Sequence, residues 1–69
     1  MIVFVNGERR EVTSPATLDE VLGLALPGRP AARGFAVALD GVVVPRARHR
    51  TTTLEEGARV EIVTAVQGG

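Results

Sequence analysis

The sequence contains no cysteine, no lysine and only one histidine, His49. Without cysteine, disulfides, iron–sulfur ligation and zinc–thiolate sites are excluded. A lone histidine leaves no basis for a histidine metal cluster. Without lysine there is no side-chain amine to accept an isopeptide bond, so the protein cannot build chains on itself by that route. Acidic and basic residues balance at eight each, and every basic residue is arginine. That balance argues against a nucleic-acid binder relying on net positive charge. No apolar run approaches the length of a membrane-spanning helix. The opening residues lack the basic region and cleavage site of a signal peptide. The expectation is a cytoplasmic domain with no membrane and no nucleic acid among its partners.

Sixty-nine residues make one domain, expected to span 1–69 with 67–69 as a flexible tail. A chain this short buries a modest fraction of its surface, so the fold must rest on the apolar 45% of its residues. The stretch "MIVFVNGERREVTS" reads as two short strands around Asn6-Gly7, a pair that tolerates the positive φ of a tight hairpin turn. In "SPATLDEVLGLALPG", Thr17 can cap a helix, with Glu20 three residues on to complete a capping box. Leu18, Val21, Leu22 and Ala25 then share one face, and Leu26-Pro27-Gly28 stops the helix, predicting it over 18–26. Gly23 weakens its interior by roughly 1 kcal/mol relative to alanine.

"FAVALDGVVVP" carries a second hairpin signal, with Asp40-Gly41 as the turn and Pro45 closing the second arm. "RARHRTTTLEEGA" is polar and irregular, pinned by Leu54, with Gly57 suited to a left-handed turn. "RVEIVTAV" is a long final strand in which Val60, Ile62, Thr64 and Val66 share a face. One helix with four or five strands implies an α+β roll, a β-grasp: a mixed sheet with the helix on one face and the most apolar strands, first and last, side by side at its centre. With Val3, Val5, Val60, Ile62 and Val66 towards the helix, Ile2, Phe4, Val63 and Ala65 point outward. These four form a candidate partner-binding patch near the tail, and Val66 at the tail's base is counted with it.

Catalytic constellations are scarce. His49 lies among Arg46, Arg48 and Arg50 with no nucleophile or acid at a suggestive spacing, and reads as a solvated surface residue. Asp19-Glu20 is explained by the helix start. Asn6-Gly7 and Asp40-Gly41 are turn chemistry, and no phosphate-loop signature is present. The protein is expected to have no catalytic site of its own. The remaining candidate is "TAVQGG". Glycine has no Cβ, so Gly68 and Gly69 suit a narrow channel. A carboxylate is a poor electrophile until activated, so a reactive tail needs an enzyme that converts its oxygen into a leaving group, and ATP is the expected activator.

"MIVFVNGE", "VALDGVVVPR" and above all "RVEIVTAVQGG" resemble the ThiS family, the sulfur carriers of thiazole (thiamine) biosynthesis, over essentially the whole chain. The resemblance implies the same β-grasp fold. It further implies that Gly69 is adenylated and converted to a thiocarboxylate, with Gly68 and Gln67 threading into the partner's site. The implied partners are a ubiquitin-activating-type (ThiF-like) adenylyltransferase using ATP and magnesium, a persulfide-bearing sulfur donor and a ThiG-like thiazole synthase. No cofactor is bound by the chain itself. The sequence departs from the family pattern at Ala58, where "GD" is common, and at His49, where an aromatic residue often follows "VPR". Two alternatives remain open: the small subunit of molybdopterin synthase, another carrier ending in Gly-Gly, and a β-grasp binding module that uses Arg46, Arg48 and Arg50 as its contact surface.

Overall fold

The computed structural model describes residues 1–26 and 34–64. Five strands and one α-helix occur in the order β1 (Ile2–Val5), β2 (Glu8–Glu11), α1 (Leu18–Ala25), β3 (Phe35–Leu39), β4 (Val42–Val43) and β5 (Arg59–Thr64). They form one mixed sheet with strand order β2-β1-β5-β3-β4. β1 and β5 run parallel, while the β1–β2, β3–β4 and β3–β5 pairs are antiparallel. The final strand therefore occupies the middle of the sheet, with the first strand beside it, in the β-grasp arrangement.

Both tight turns follow from their dipeptides. Asn6 and Gly7 have φ of 50° and 83°, and Asp40 and Gly41 have 50° and 87°. Positive φ at both central positions gives a turn whose twist matches the flanking strands, and Asn, Asp and Gly reach it at least cost. The second hairpin is tied further to β5, because the Asp40 Oδ1 accepts from the Arg59 N–H at 2.9 Å.

One face of the sheet carries the core. Val3 and Val5 of β1, Val37 of β3 and Val60 and Ile62 of β5 pack against Leu18, Val21 and Leu22 of α1. Alternation along each strand sends these residues to the helix side and their neighbours to the opposite side. Ala25, the fourth residue of the expected helix face, is only partly buried against this core.

The start of α1 is stitched to the connection between β4 and β5. Thr17 Oγ1 accepts from the Glu20 N–H at 3.2 Å, and Glu20 Oε1 accepts from the Thr17 N–H at 2.8 Å, completing the capping box. The next two free N–H groups of the helix go to the connection: Leu18 donates to the Thr52 carbonyl at 2.8 Å and Asp19 to the His49 carbonyl at 2.9 Å. All of the first-turn donors before Val21, whose N–H reaches the Thr17 carbonyl, are thus satisfied. Leu54, buried in the core, donates its N–H to the Ala16 carbonyl at 2.9 Å and closes the stitch.

This packing corrects the expectation for His49. Its flanking arginines, two of them in a short 3-10 helix at Arg46–Arg48, are exposed, but His49 itself is only 4% exposed. Its Nε2 lies 3.0 Å from the Val44 carbonyl. A carbonyl only accepts, so Nε2 carries the hydrogen. A polar residue amid arginines looks solvated in sequence; here its main-chain carbonyl meets the first turn of α1 while its ring is buried and reaches back to Val44. His49→Ala removes that bond and leaves a void. A loss of about 2 kcal/mol is expected, or about 10 °C in Tm for a domain of this size, read by thermal melting in far-UV circular dichroism. An unchanged melting temperature would show that the ring contributes no packing.

Ala58 also has a place in this packing. Gly57 takes φ of 82° and donates to the Ile2 carbonyl at 2.7 Å. Ala58 is buried, with its N–H on the Glu55 carbonyl at 3.0 Å. The turn before β5 is closed by main-chain bonds and a methyl group in the core, without a side-chain cap at position 58.

Candidate functional site

Among the described residues no group of histidine, cysteine or acidic side chains could hold a metal ion, and no helix is long and apolar enough to cross a membrane. The candidate site therefore consists of the outer face of the sheet and the segment that continues from β5. Five site residues inferred from sequence, Ala65, Val66, Gln67, Gly68 and Gly69, lie outside the described residues. The other three, Ile2, Phe4 and Val63, are described.

All three are on the face away from α1. Ile2 and Phe4 alternate with the buried Val3 and Val5 and are half-buried, and Val63 follows the buried Ile62 and is 66% exposed. They do not form one patch. Phe4 lies in register with Arg9 of β2 on one side and Arg59 of β5 on the other. Val63 is four residues further along β5, roughly 13 Å away at strand spacing, with Glu61 outward between them. Its cross-strand partner is Ala36 of β3.

The apolar surface near the end of β5 is instead built from β3 and β4. Ala36, Ala38, Val43 and Val63 line one groove with Glu61 and Asn6 at its β1 side. Val43 is as exposed as Val63, at 67%. Ala38 pairs with both Glu61 and Val43, which makes β3 the bridge between the two valines. Sequence reasoning missed these residues because it took the neighbours of β5 from β1 alone. The alternation in "FAVAL", with Val37 inward and Ala36 and Ala38 outward, carried the signal.

Phe4 belongs to a second and different surface. Arg9, Phe4 and Arg59 form a row across β2, β1 and β5, and Phe4, Gly7, Arg59 and Glu61 line a separate depression. An aromatic ring flanked by guanidinium groups favours partners that combine apolar and acidic groups. The outer face thus divides into an apolar half beside the end of β5 and a mixed, arginine-bearing half beside the β1–β2 hairpin.

β5 delivers the chain to one edge of this face. Thr64, its last residue, pairs with Phe35 at the start of β3. Ala65-Val66-Gln67-Gly68-Gly69 follow in the sequence. Five residues span at most roughly 17 Å when fully extended.

Comparison with known proteins agrees with this architecture over the whole chain. The crystal structure of the thiamine biosynthesis protein ThiS from Geobacter metallireducens superimposes with a TM-score of 0.79 at 28% identity, covering 100% of both chains. A solution structure of a thiamine biosynthesis protein from the same organism gives 0.76 at 28% identity, covering 100% of this chain and 88% of that one. No curated protein sequence matches. The model of the ThiS family matches residues 3–69, a span that takes in the sheet, the helix and both final glycines, and the chain belongs to the ThiS family.

Proposed function

We propose that this protein is a sulfur carrier for thiazole formation, with the Gly69 carboxylate as the loading point. The observation that carries this reading is the family match through Gly69 on a β-grasp body whose central strand leads into the final segment. The chain is then a cosubstrate of other enzymes, and its own residues bind, orient and present the carboxylate.

The chemistry requires two activations. A carboxylate oxygen of Gly69 attacks the α-phosphorus of ATP, with magnesium, in a ubiquitin-activating-type partner, and pyrophosphate leaves. The acyl adenylate so formed is open to attack by the terminal sulfur of a donor persulfide, which expels AMP and gives an acyl disulfide. A thiol takes the donor's sulfur of that bond as a disulfide and releases the thiocarboxylate. Thiazole synthase then receives sulfur from Gly69, and the carboxylate is regenerated. Gly68 and Gln67 thread with Gly69, and the absence of a side chain at both glycines keeps the acyl carbon accessible. Docking is assigned to the apolar groove of Val63, Ala36, Ala38 and Val43.

Intact-mass measurement tests the reading. Incubated with activating enzyme, ATP, magnesium, sulfur donor and thiol, the protein gains about 16 Da, the difference between sulfur and oxygen. A form lacking Gly69 gains nothing. Wild-type protein that stays unmodified beside an activating enzyme proven on another carrier sinks the assignment.

A further inference from the structure

Asn6 makes the β1–β2 turn with its main chain, but its side chain is engaged elsewhere. Its Oδ1 accepts from the Ile62 N–H at 2.7 Å, and its Nδ2–H donates to the Ile62 carbonyl at 3.3 Å. The ladder between β1 and β5 explains the arrangement. Phe4 N–H donates to the Ala58 carbonyl and Asn6 N–H to the Val60 carbonyl, each at 2.8 Å. In a parallel pair the next bond along would run from Ile62 N–H to the main-chain carbonyl of residue 6. At that point the chain turns into the hairpin, and the side-chain amide takes over. A carboxamide carries an acceptor oxygen and an NH₂ with two donors; here the oxygen and one N–H pair with the N–H and carbonyl of Ile62, so the side chain extends the ladder one rung beyond the end of β1. Among the described residues no bond joins β5 to the β1–β2 hairpin beyond Ile62.

We infer that Asn6 is a positioning residue for the final segment: its carboxamide sets how far β5 is held on the β1 side of the sheet, and through that steadies the presentation of the Gly69 carboxylate to a partner's active site. The inference rests on the carrier reading above. Without the clamp, the last tie on the β1 side retreats from Ile62 to Val60, two residues or about 7 Å of strand, and β3 alone holds the rest. A reacting carboxylate is sensitive to such loosening, because misplacement by about 1 Å can cost about a hundredfold in rate.

Three variants separate positioning from stability. Asn6→Gly keeps a residue that accepts positive φ and removes the clamp. Asn6→Asp keeps the acceptor and loses the donor. Thr17→Ala removes the helix cap, lowering global stability from a site outside the β1–β5 ladder. Amide hydrogen exchange by NMR and loading kinetics by mass spectrometry are measured for each. In Asn6→Gly the Ile62 amide is expected to exchange about tenfold faster relative to Val37, a local opening below the global one. Its loading kcat falls about tenfold, with KM moving little. Asn6→Asp retains most of the Ile62 protection, and Thr17→Ala lowers Tm without changing relative Ile62 exchange or loading kcat. Asn6→Gly with wild-type Ile62 protection, or loading as fast as Thr17→Ala, overturns the inference. Failure of wild-type protein to load removes the carrier reading and the role at Gly69, while the exchange measurements still decide whether Asn6 holds β5.

Discussion

Val60→Asp is expected to unfold the protein, whereas Val63→Asp, three residues along the same strand, should leave it folded. Val60 is fully buried in the middle of the sheet, between Val5 of β1 and Leu39 of β3 and against the helix. Aspartate there forfeits about 2 kcal/mol of apolar burial and adds a desolvated carboxyl with no partner, which costs several kcal/mol more. A domain of this length is stable by only roughly 5 kcal/mol, so the folded state does not survive. Val63 points the other way and is mostly in water, so an aspartate there changes stability by no more than about 0.5 kcal/mol. It places a charge in the apolar groove beside Glu61, and loading by the activating enzyme should fall about tenfold, equivalent to about 1.4 kcal/mol of docking energy. Far-UV circular dichroism reads the first effect and mass-resolved loading kinetics the second. If Val63→Asp unfolds or Val60→Asp folds, the assignment of the two faces is wrong.

A single alanine added after Gly69 should abolish loading while leaving fold and docking intact. The extension moves the α-carboxylate about 3.5 Å further along the chain and leaves Gly69 with an unreactive amide. A displacement of that size at an acyl centre costs far more than about a hundredfold in rate, so no thiocarboxylate is expected on any practical timescale. Affinity for the activating enzyme, measured by titration, should change less than about threefold, because the docking contacts of the sheet are untouched. A binding module that only presents a surface would be indifferent to the extension in every assay. Loading of the extended form at the wild-type rate would overturn Gly69 as the loading point.

Local features of this fold were legible in the sequence, and relations between distant segments were not. Asn6-Gly7, Asp40-Gly41 and the Thr17–Glu20 box each act within a few residues, through φ preference or a side-chain bond to a nearby N–H, and all three occur as read. The inward set Val3, Val5, Val60 and Ile62 follows from strand alternation, and it too is as read. The outer patch depends on cross-strand register, which alternation does not determine. Placing Val63 beside Ala36 rather than near Phe4 required the β3–β5 pairing. His49 was misread for a related reason. Its burial is imposed by α1, thirty residues away in sequence, through main-chain bonds that no residue type advertises. Asn6 was read correctly as a turn residue and incompletely as anything more, because its second role requires Ile62 to lie opposite.

The position of β5 has a consequence for how the molecule comes into being. The last of the described strands is the one both halves of the sheet require: the β1–β2 hairpin pairs with it on one side and the β3–β4 hairpin on the other. A chain still emerging from the ribosome, or one cut short before residue 59, has two hairpins and a helix with nothing to join them. Closure across so many intervening residues waits until residues 59–64 have been made. Copies cut short before residue 59 are expected to stay unfolded and open to proteases.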